Sequence, residues 1–183
     1  MKKTYLFIII AVIVVVIGWL AVSRTGQSPS TSSTGDTTTP TKQEAQLEKA
    51  PNFSLQDYNG KTVNLSDFAG KPVVINSWAV WCPFCRKELV DFAVAQKEFG
   101  DKVVIIAIDR AEGLETAKKY SDELGVTGDL ILLLDRTDSF YKSIGGFSMP
   151  ETIFVNKEGN IVEHKRGPMD LNEIRQKIQK ILP

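Results

Sequence analysis

Apolar residues run almost unbroken from Tyr5 to Val22, interrupted only by Gly18, and then give way to Ser, Thr, Pro and Gly as far as Gln43. A helix over the first run is roughly 27 Å long at about 1.5 Å per residue, close to the hydrocarbon thickness of a bilayer. Lys2 and Lys3 before it and Arg24 after it predict a membrane anchor over residues 1–23 with its N-terminus left in the cytoplasm. A cleavable signal peptide is the competing reading, because Ala21-Val22-Ser23 offers small residues at the required spacing. Either reading exports the rest of the chain. Residues 24–50 have too little apolar surface to offset the entropy of ordering, so they are expected to be a flexible linker spanning roughly 30 Å.

From residue 51 the pattern changes to short apolar runs separated by turn residues. Asn52–Leu55 and Thr62–Leu65 read as strands joined by Asp57-Tyr58-Asn59-Gly60, and Val73–Trp78 after Pro72 as a buried strand. Leu89, Phe92, Ala93 and Phe99 then fall at helical spacing, with a lapse at Gln96 and a stop at Gly100. Val103–Ile108 and Leu130–Leu134 are further strands, and Leu114, Ala117, Tyr120 and Leu124 line a helix ended by Gly125. Ser139–Ile144 reads as a short helix. Thr152–Asn156 and Asn160–His164 form a hairpin, and a last helix opens with Asp170 and Glu173 and carries the stripe Leu171, Ile174, Ile178, Ile181. The order ββ–β–α–β–α–β–α–β–β–α predicts an α/β domain over residues 51–183 with a mainly parallel sheet and one antiparallel hairpin.

The 22 basic and 22 acidic residues balance, which argues against nucleic acid as a partner, since binding phosphates needs a basic surplus. Two cysteines and one histidine are too few for an all-Cys/His structural zinc site. No metal and no cofactor is expected beyond a redox pair formed by the cysteines themselves.

That pair, Cys82-Pro83-Phe84-Cys85, stands where the strand ending near Trp78 gives way to a helix. Pro83 is expected at the first helical position, where its missing N–H costs nothing, and Cys82 at the helix N-terminus. The unpaired amides there favour negative charge and lower a cysteine pKa from about 8.5 into the range of roughly 3.5–7.5. Cys85, one turn further in, is close enough to form a disulfide and less exposed. Cys82 is therefore the attacking thiol and Cys85 the resolving one. A purely structural disulfide across so short a loop contributes little chain entropy, which favours the redox reading.

Trp78-Ala79-Val80-Trp81-Cys82-Pro83-Phe84-Cys85-Arg86-Lys87-Glu88 resembles the active-site segment of the thioredoxin superfamily. More narrowly it is similar to the TlpA-like, membrane-anchored thiol–disulfide oxidoreductases, including the cytochrome c maturation thioredoxins. Ala50–Leu55, Lys71–Asn76 and Met149-Pro150-Glu151-Thr152-Ile153-Phe154 fit the same pattern. The resemblance implies a thioredoxin fold with an N-terminal β-hairpin and a central helix–strand insertion between Gly113 and Leu134. It implies a cis Met149–Pro150 bond, with Pro150 against the disulfide and the Met149 backbone pairing with substrate. It also implies a disulfide reductase recharged by a membrane thiol–disulfide donor, acting on exported proteins such as apocytochrome c.

Two departures concern protons. Thioredoxins proper carry a buried aspartate six positions before the first cysteine, whereas here the residue is Asn76; TlpA-like proteins share this asparagine. Some members place a glutamate between the cysteines, and Glu151 is the candidate replacement as proton acceptor for Cys85. Trp81 is the expected exposed aromatic of a docking surface that Phe84 and Met149 complete. Arg86, Lys87 and Glu88 read as a solvated helix face. Two other functions compete. A thiol peroxidase needs Pro and Thr where this chain has Ile75 and Ala79. A non-catalytic copper or haem chaperone would need His164 as a third ligand beside the cysteines, although a solvent-facing strand position suits His164 better.

Overall fold

The computed structural model describes residues 47–183. Its strands are β1 (Ser54–Asp57), β2 (Thr62–Asn64), β3 (Val73–Trp78), β4 (Val104–Arg110), β5 (Ile131–Asp135), β6 (Glu151–Val155) and β7 (Ile161–Arg166). Its helices are α1 (Cys85–Phe99), α2 (Leu114–Leu124), α3 (Ser139–Ser143) and α4 (Leu171–Ile181). The strands form one seven-stranded sheet in the order β2-β1-β5-β4-β3-β6-β7. This is the thioredoxin-type α/β fold with an N-terminal hairpin and the α2–β5 insertion.

Side chains alternate across a strand, so the apolar runs cover both faces. Val74, Trp78, Ile105, Ala107, Leu132, Leu134 and Phe154 face the layer of α1, α2 and α4, where Leu89, Phe92, Ala117, Ile174 and Ile178 meet them. Val73, Ile75, Ile106, Ile108, Leu133, Ile153 and Val155 face the other way, onto Phe53, Phe140 and Ile144. Cys82 and Cys85 belong to the first layer. The lapse at Gln96 has a structural use. Its side chain donates to the carbonyls of Gly100 and Val103 and accepts the Ile105 N–H, tying the end of α1 to the start of β4.

Several expectations are corrected. The sheet is mixed, because only β3–β4 and β4–β5 pair in parallel; β6 returns antiparallel to β3, and β1 antiparallel to β5. Leu65 leaves the strand for a short 3₁₀ turn, Leu65–Phe68. In the β1–β2 turn only Gly60 has positive φ, because the Asp57 carboxylate accepts the N–H groups of Asn59 and Lys61 and closes the turn itself. The predicted anchor, 1–23, and the linker as far as residue 46 lie outside the described residues. Among the described residues no helix is long and apolar enough to cross a membrane. Lys49 and Ala50, assigned by composition to the linker, instead pair with the β6–β7 hairpin through Asn160 and Gly159.

Candidate active site

β3 carries the chain to the end of the sheet at Trp78, which is fully buried and stacks on Tyr120 of α2 at 5.6 Å between centroids. Ala79-Val80-Trp81 then turn it out to the surface. Cys82 and Cys85 are joined in a disulfide with their Cα atoms 5.4 Å apart. The α-helix begins at Cys85, two residues later than expected, with Phe84 as its N-cap. Cys82–Cys85 form a tighter turn of their own, closed by the Cys85 N–H on the Cys82 carbonyl. Pro83 sits inside that turn, so its missing N–H still costs nothing. The consequence for sulfur is direct. The Cys85 N–H also points at Cys82 Sγ, 3.2 Å away, and such a donor favours a thiolate there.

Both cysteines are buried, Cys82 at 2% exposure and Cys85 at 0%. Beside them in the chain Trp81 and Phe84 are largely exposed, and in the loop before Met149 so is Phe147, at 86%. Phe147 escaped the sequence reading because it lies in a Gly-Gly-Phe-Ser loop with no periodicity to mark it. The Met149–Pro150 peptide bond is cis, with Pro150 buried and Met149 half-buried. The loop before it lies over Tyr141, whose hydroxyl donates to the Ser148 carbonyl. A Cβ at Gly146 would come within 2.4 Å of the Tyr141 ring, so glycine is required at this close approach.

Two glutamates depart from their expected places. Glu151 is fully buried, but Ile153 and Val155, two and four residues on, face the layer opposite the disulfide, and by strand alternation so does Glu151. It is not the proton acceptor for Cys85. One carboxylate oxygen accepts the Phe147 and Ser148 N–H groups at 2.8 and 2.9 Å, and the other accepts Arg166 Nε at 3.1 Å. His164 Nε2 lies 2.6 Å from that second oxygen, off the line of a hydrogen bond. His164 is therefore half-buried against Glu151 rather than facing solvent. It pairs in register with Ile153, on the face away from the cysteines, so the three-ligand Cys–Cys–His set is not assembled. We expect Glu151→Ala to lower the unfolding free energy by about 2 kcal/mol, since it strips two loop amides and the exposed Arg166 of their buried acceptor. Denaturant titration of the oxidised protein measures this.

Glu88, expected on a solvated face, is 1% exposed. It lies one turn after Cys85 on the same side of α1 as Leu89 and Phe92. Asn76 Nδ2 donates to one of its carboxylate oxygens at 2.9 Å and the Met169 N–H to the other at 2.9 Å. Asn76 also donates to Thr152 Oγ1. Burial pushes the Glu88 carboxyl up to about 8, against the pull of these donors. A buried acid thus stands on α1, held by the Asn76 amide. The i, i+3 spacing from Cys85, within an apolar stripe, was the available signal.

Residues 45–180 match the Redoxin family. The chain is 34% identical over 137 residues to the thiol-disulfide oxidoreductase ResA of Bacillus subtilis, covering 73% of this chain and 74% of that protein. Among solved structures, the pneumococcal exposed lipoprotein thioredoxin of Streptococcus pneumoniae matches with a TM-score of 0.61 and 29% identity, over 71% of this chain and 99% of that one. The thioredoxin domain of a thiol-disulfide oxidoreductase from Bacteroides vulgatus matches with a TM-score of 0.66 and 26% identity, over 76% and 99%.

Proposed function

Because the chain belongs to the Redoxin family, within the TlpA-like thiol–disulfide oxidoreductases, we propose that it is a membrane-tethered disulfide reductase working outside the cytoplasm. Its substrates in this reading are exported proteins carrying disulfides, apocytochrome c among them, and its electrons come from a membrane thiol–disulfide donor. The observation that carries it is the single cluster in which a backbone amide faces Cys82 sulfur while a buried carboxyl, pushed up to about 8, lies one helical turn from Cys85.

In the reduced protein the Cys82 thiolate attacks one sulfur of the substrate disulfide, and the other leaves as a thiolate. Where the Glu88 carboxyl is ionised, in a fraction that grows as pH approaches about 8, Cys85 gives its proton to it and attacks Cys82 Sγ. The mixed disulfide breaks, the second substrate thiolate departs, and Cys82–Cys85 closes. Two electrons have passed to the substrate, which leaves as two thiolates that take their protons from solvent, while the proton Cys85 held rests on Glu88. A donor dithiol reverses the same steps. A carboxyl near 8 suits this role because its proton affinity is close to that of a thiol. Neither Ile75 nor Ala79, both buried and apolar, supplies the hydroxyl a peroxidase pocket would need.

The direction of electron flow is tested by the midpoint potential together with the redox state of the protein in its own cell. We expect a potential nearer the roughly −270 mV of thioredoxin than the −120 mV of strong oxidants, with a mainly reduced population. A value near −120 mV with a mainly oxidised population makes the protein an oxidase instead. The aromatic rim is tested separately. Phe147→Ser or Trp81→Ser should raise KM for a protein disulfide about tenfold, as loss of an interfacial aromatic does, while reduction of a small disulfide keeps its rate.

A further inference from the structure

A second pair of acids stands behind the loop that delivers Cys82, and the exchange chemistry does not use it. Asp109, near the end of β4, pairs in register with Trp78. Its side chain therefore shares the disulfide's face of the sheet, and the residue is fully buried. One of its oxygens accepts the Glu112 N–H at 3.2 Å. The other is buried with no partner. After β4 the chain doubles back through Ala111, a non-glycine residue at φ 61°, a conformation that costs roughly 1–2 kcal/mol. The bend brings the half-buried Glu112 to the active-site loop, where its two carboxylate oxygens lie 3.2 and 3.1 Å from Val80 N and accept that N–H. Val80 directly precedes Trp81 and Cys82.

We propose that Asp109 and Glu112 share one proton and act as a positioning pair, gripping the loop that presents Trp81 and Cys82 by the Val80 N–H. A proton on the orphaned Asp109 oxygen turns an unpaid buried acceptor into a donor to the Glu112 carboxylate, and leaves that carboxylate charged for Val80. The charged and titratable groups facing Asp109 are Glu112 from the bend, Asp135 from the end of β5 and Tyr58 from the β1–β2 turn. All are acids, so none stabilises an ionised Asp109. Burial, contact with Glu112 and its charge, and the Asp135 charge push its carboxyl up to about 8, partly offset by the Glu112 N–H. Above that pH two like charges share the site, Glu112 is repelled and the grip on Val80 loosens.

The test follows the Val80 amide of the oxidised protein by NMR between pH 6 and 9.5. In the wild type its chemical shift should move, and its exchange protection fall about tenfold, through the range in which Asp109 loses its proton, as expected for a lost hydrogen bond to a charged group. Asp109→Asn keeps a donor and cannot ionise, so Val80 should stay protected and unmoved throughout. Glu112→Ala should lose the protection at every pH and raise KM for a protein disulfide several-fold. Because Glu88 titrates in the same range, the series is repeated with Glu88→Gln, in which the Val80 response should persist. A Val80 signal that is flat in the wild type overturns the proposal. So does an Asp109→Asn protein that titrates like the wild type, a Glu112→Ala protein with Val80 still protected, or disappearance of the response with Glu88→Gln.

Discussion

Cys85→Ala should accumulate substrate proteins as mixed disulfides on Cys82, and Cys82→Ala should accumulate none. The asymmetry follows from which sulfur is stabilised as a thiolate and which can be reached. Cys82 Sγ receives the Cys85 N–H at 3.2 Å and borders the aromatic rim of Trp81 and Phe84. Cys85 is fully enclosed within the layer of Leu89, Phe92 and Ile174. A substrate disulfide meets Cys82 first, and only an intramolecular partner meets Cys85. Removing that partner leaves the mixed disulfide to uncatalysed rearrangement, on the scale of minutes to hours, so its lifetime lengthens by orders of magnitude. Non-reducing electrophoresis with mass spectrometry of the adducts reads the outcome. Equal trapping by the two variants would reverse or abolish the assigned roles.

Glu88→Gln should both slow resolution and change how stability depends on pH. The folded carboxyl sits at about 8 against an ordinary value of 4.5. Between these values the native protein retains a proton that the unfolded chain has released, so unfolding becomes easier as pH rises from about 4.5 to about 8. Each unit of separation is worth about 1.4 kcal/mol, which makes the contribution across the window on the order of a few kcal/mol. Glutamine keeps the shape and cannot ionise. The variant should therefore lose stability less steeply between pH 5 and 8 and be the more stable protein at pH 8. Asp109, also raised, leaves a residual slope of the same sign. Denaturant unfolding of oxidised wild type and variant at three pH values measures the effect, and parallel profiles would show that Glu88 is ionised in the native state. In the reaction, loss of the proton acceptor should lengthen the mixed-disulfide lifetime on the order of 10²-fold, measurable by quenched flow with a peptide disulfide.

Reading the chain linearly placed most elements within a few residues. β3 occupies the expected Val73–Trp78, and α2 ends at the expected Gly125, which is in the left-handed conformation. Asp170 caps α4 through the Glu173 N–H. The redox pair, the exposed Trp81 and the cis peptide bond before Pro150, implied by resemblance, were legible as well. These features are announced locally, by periodicity, capping residues or a contiguous motif. The errors share one cause. Lys87, Glu88 and Leu89 are neighbours in sequence, but only the docking of α1 between β3 and α4 decides which of them faces inward, and Met169 and Asn76, which hold Glu88, come from distant parts of the chain. Glu151 was placed beside Cys85 because it follows Pro150 directly, yet one step along a strand reverses the side-chain direction.

From its order of residues alone this protein was determined to be an α/β redox domain, with its reactive sulfurs at a strand-to-helix junction, because short-range backbone preferences and a four-residue motif suffice for that. Tertiary structure alone decided where the acids around those sulfurs lie. Glu88 is buried one helical turn from Cys85, Glu112 reaches Val80, and Glu151 is turned away to hold the cis-proline loop. The physical reason is that a carboxyl's proton affinity is set by burial and by donors and charges brought in from other segments, and those are known only once the sheet has closed.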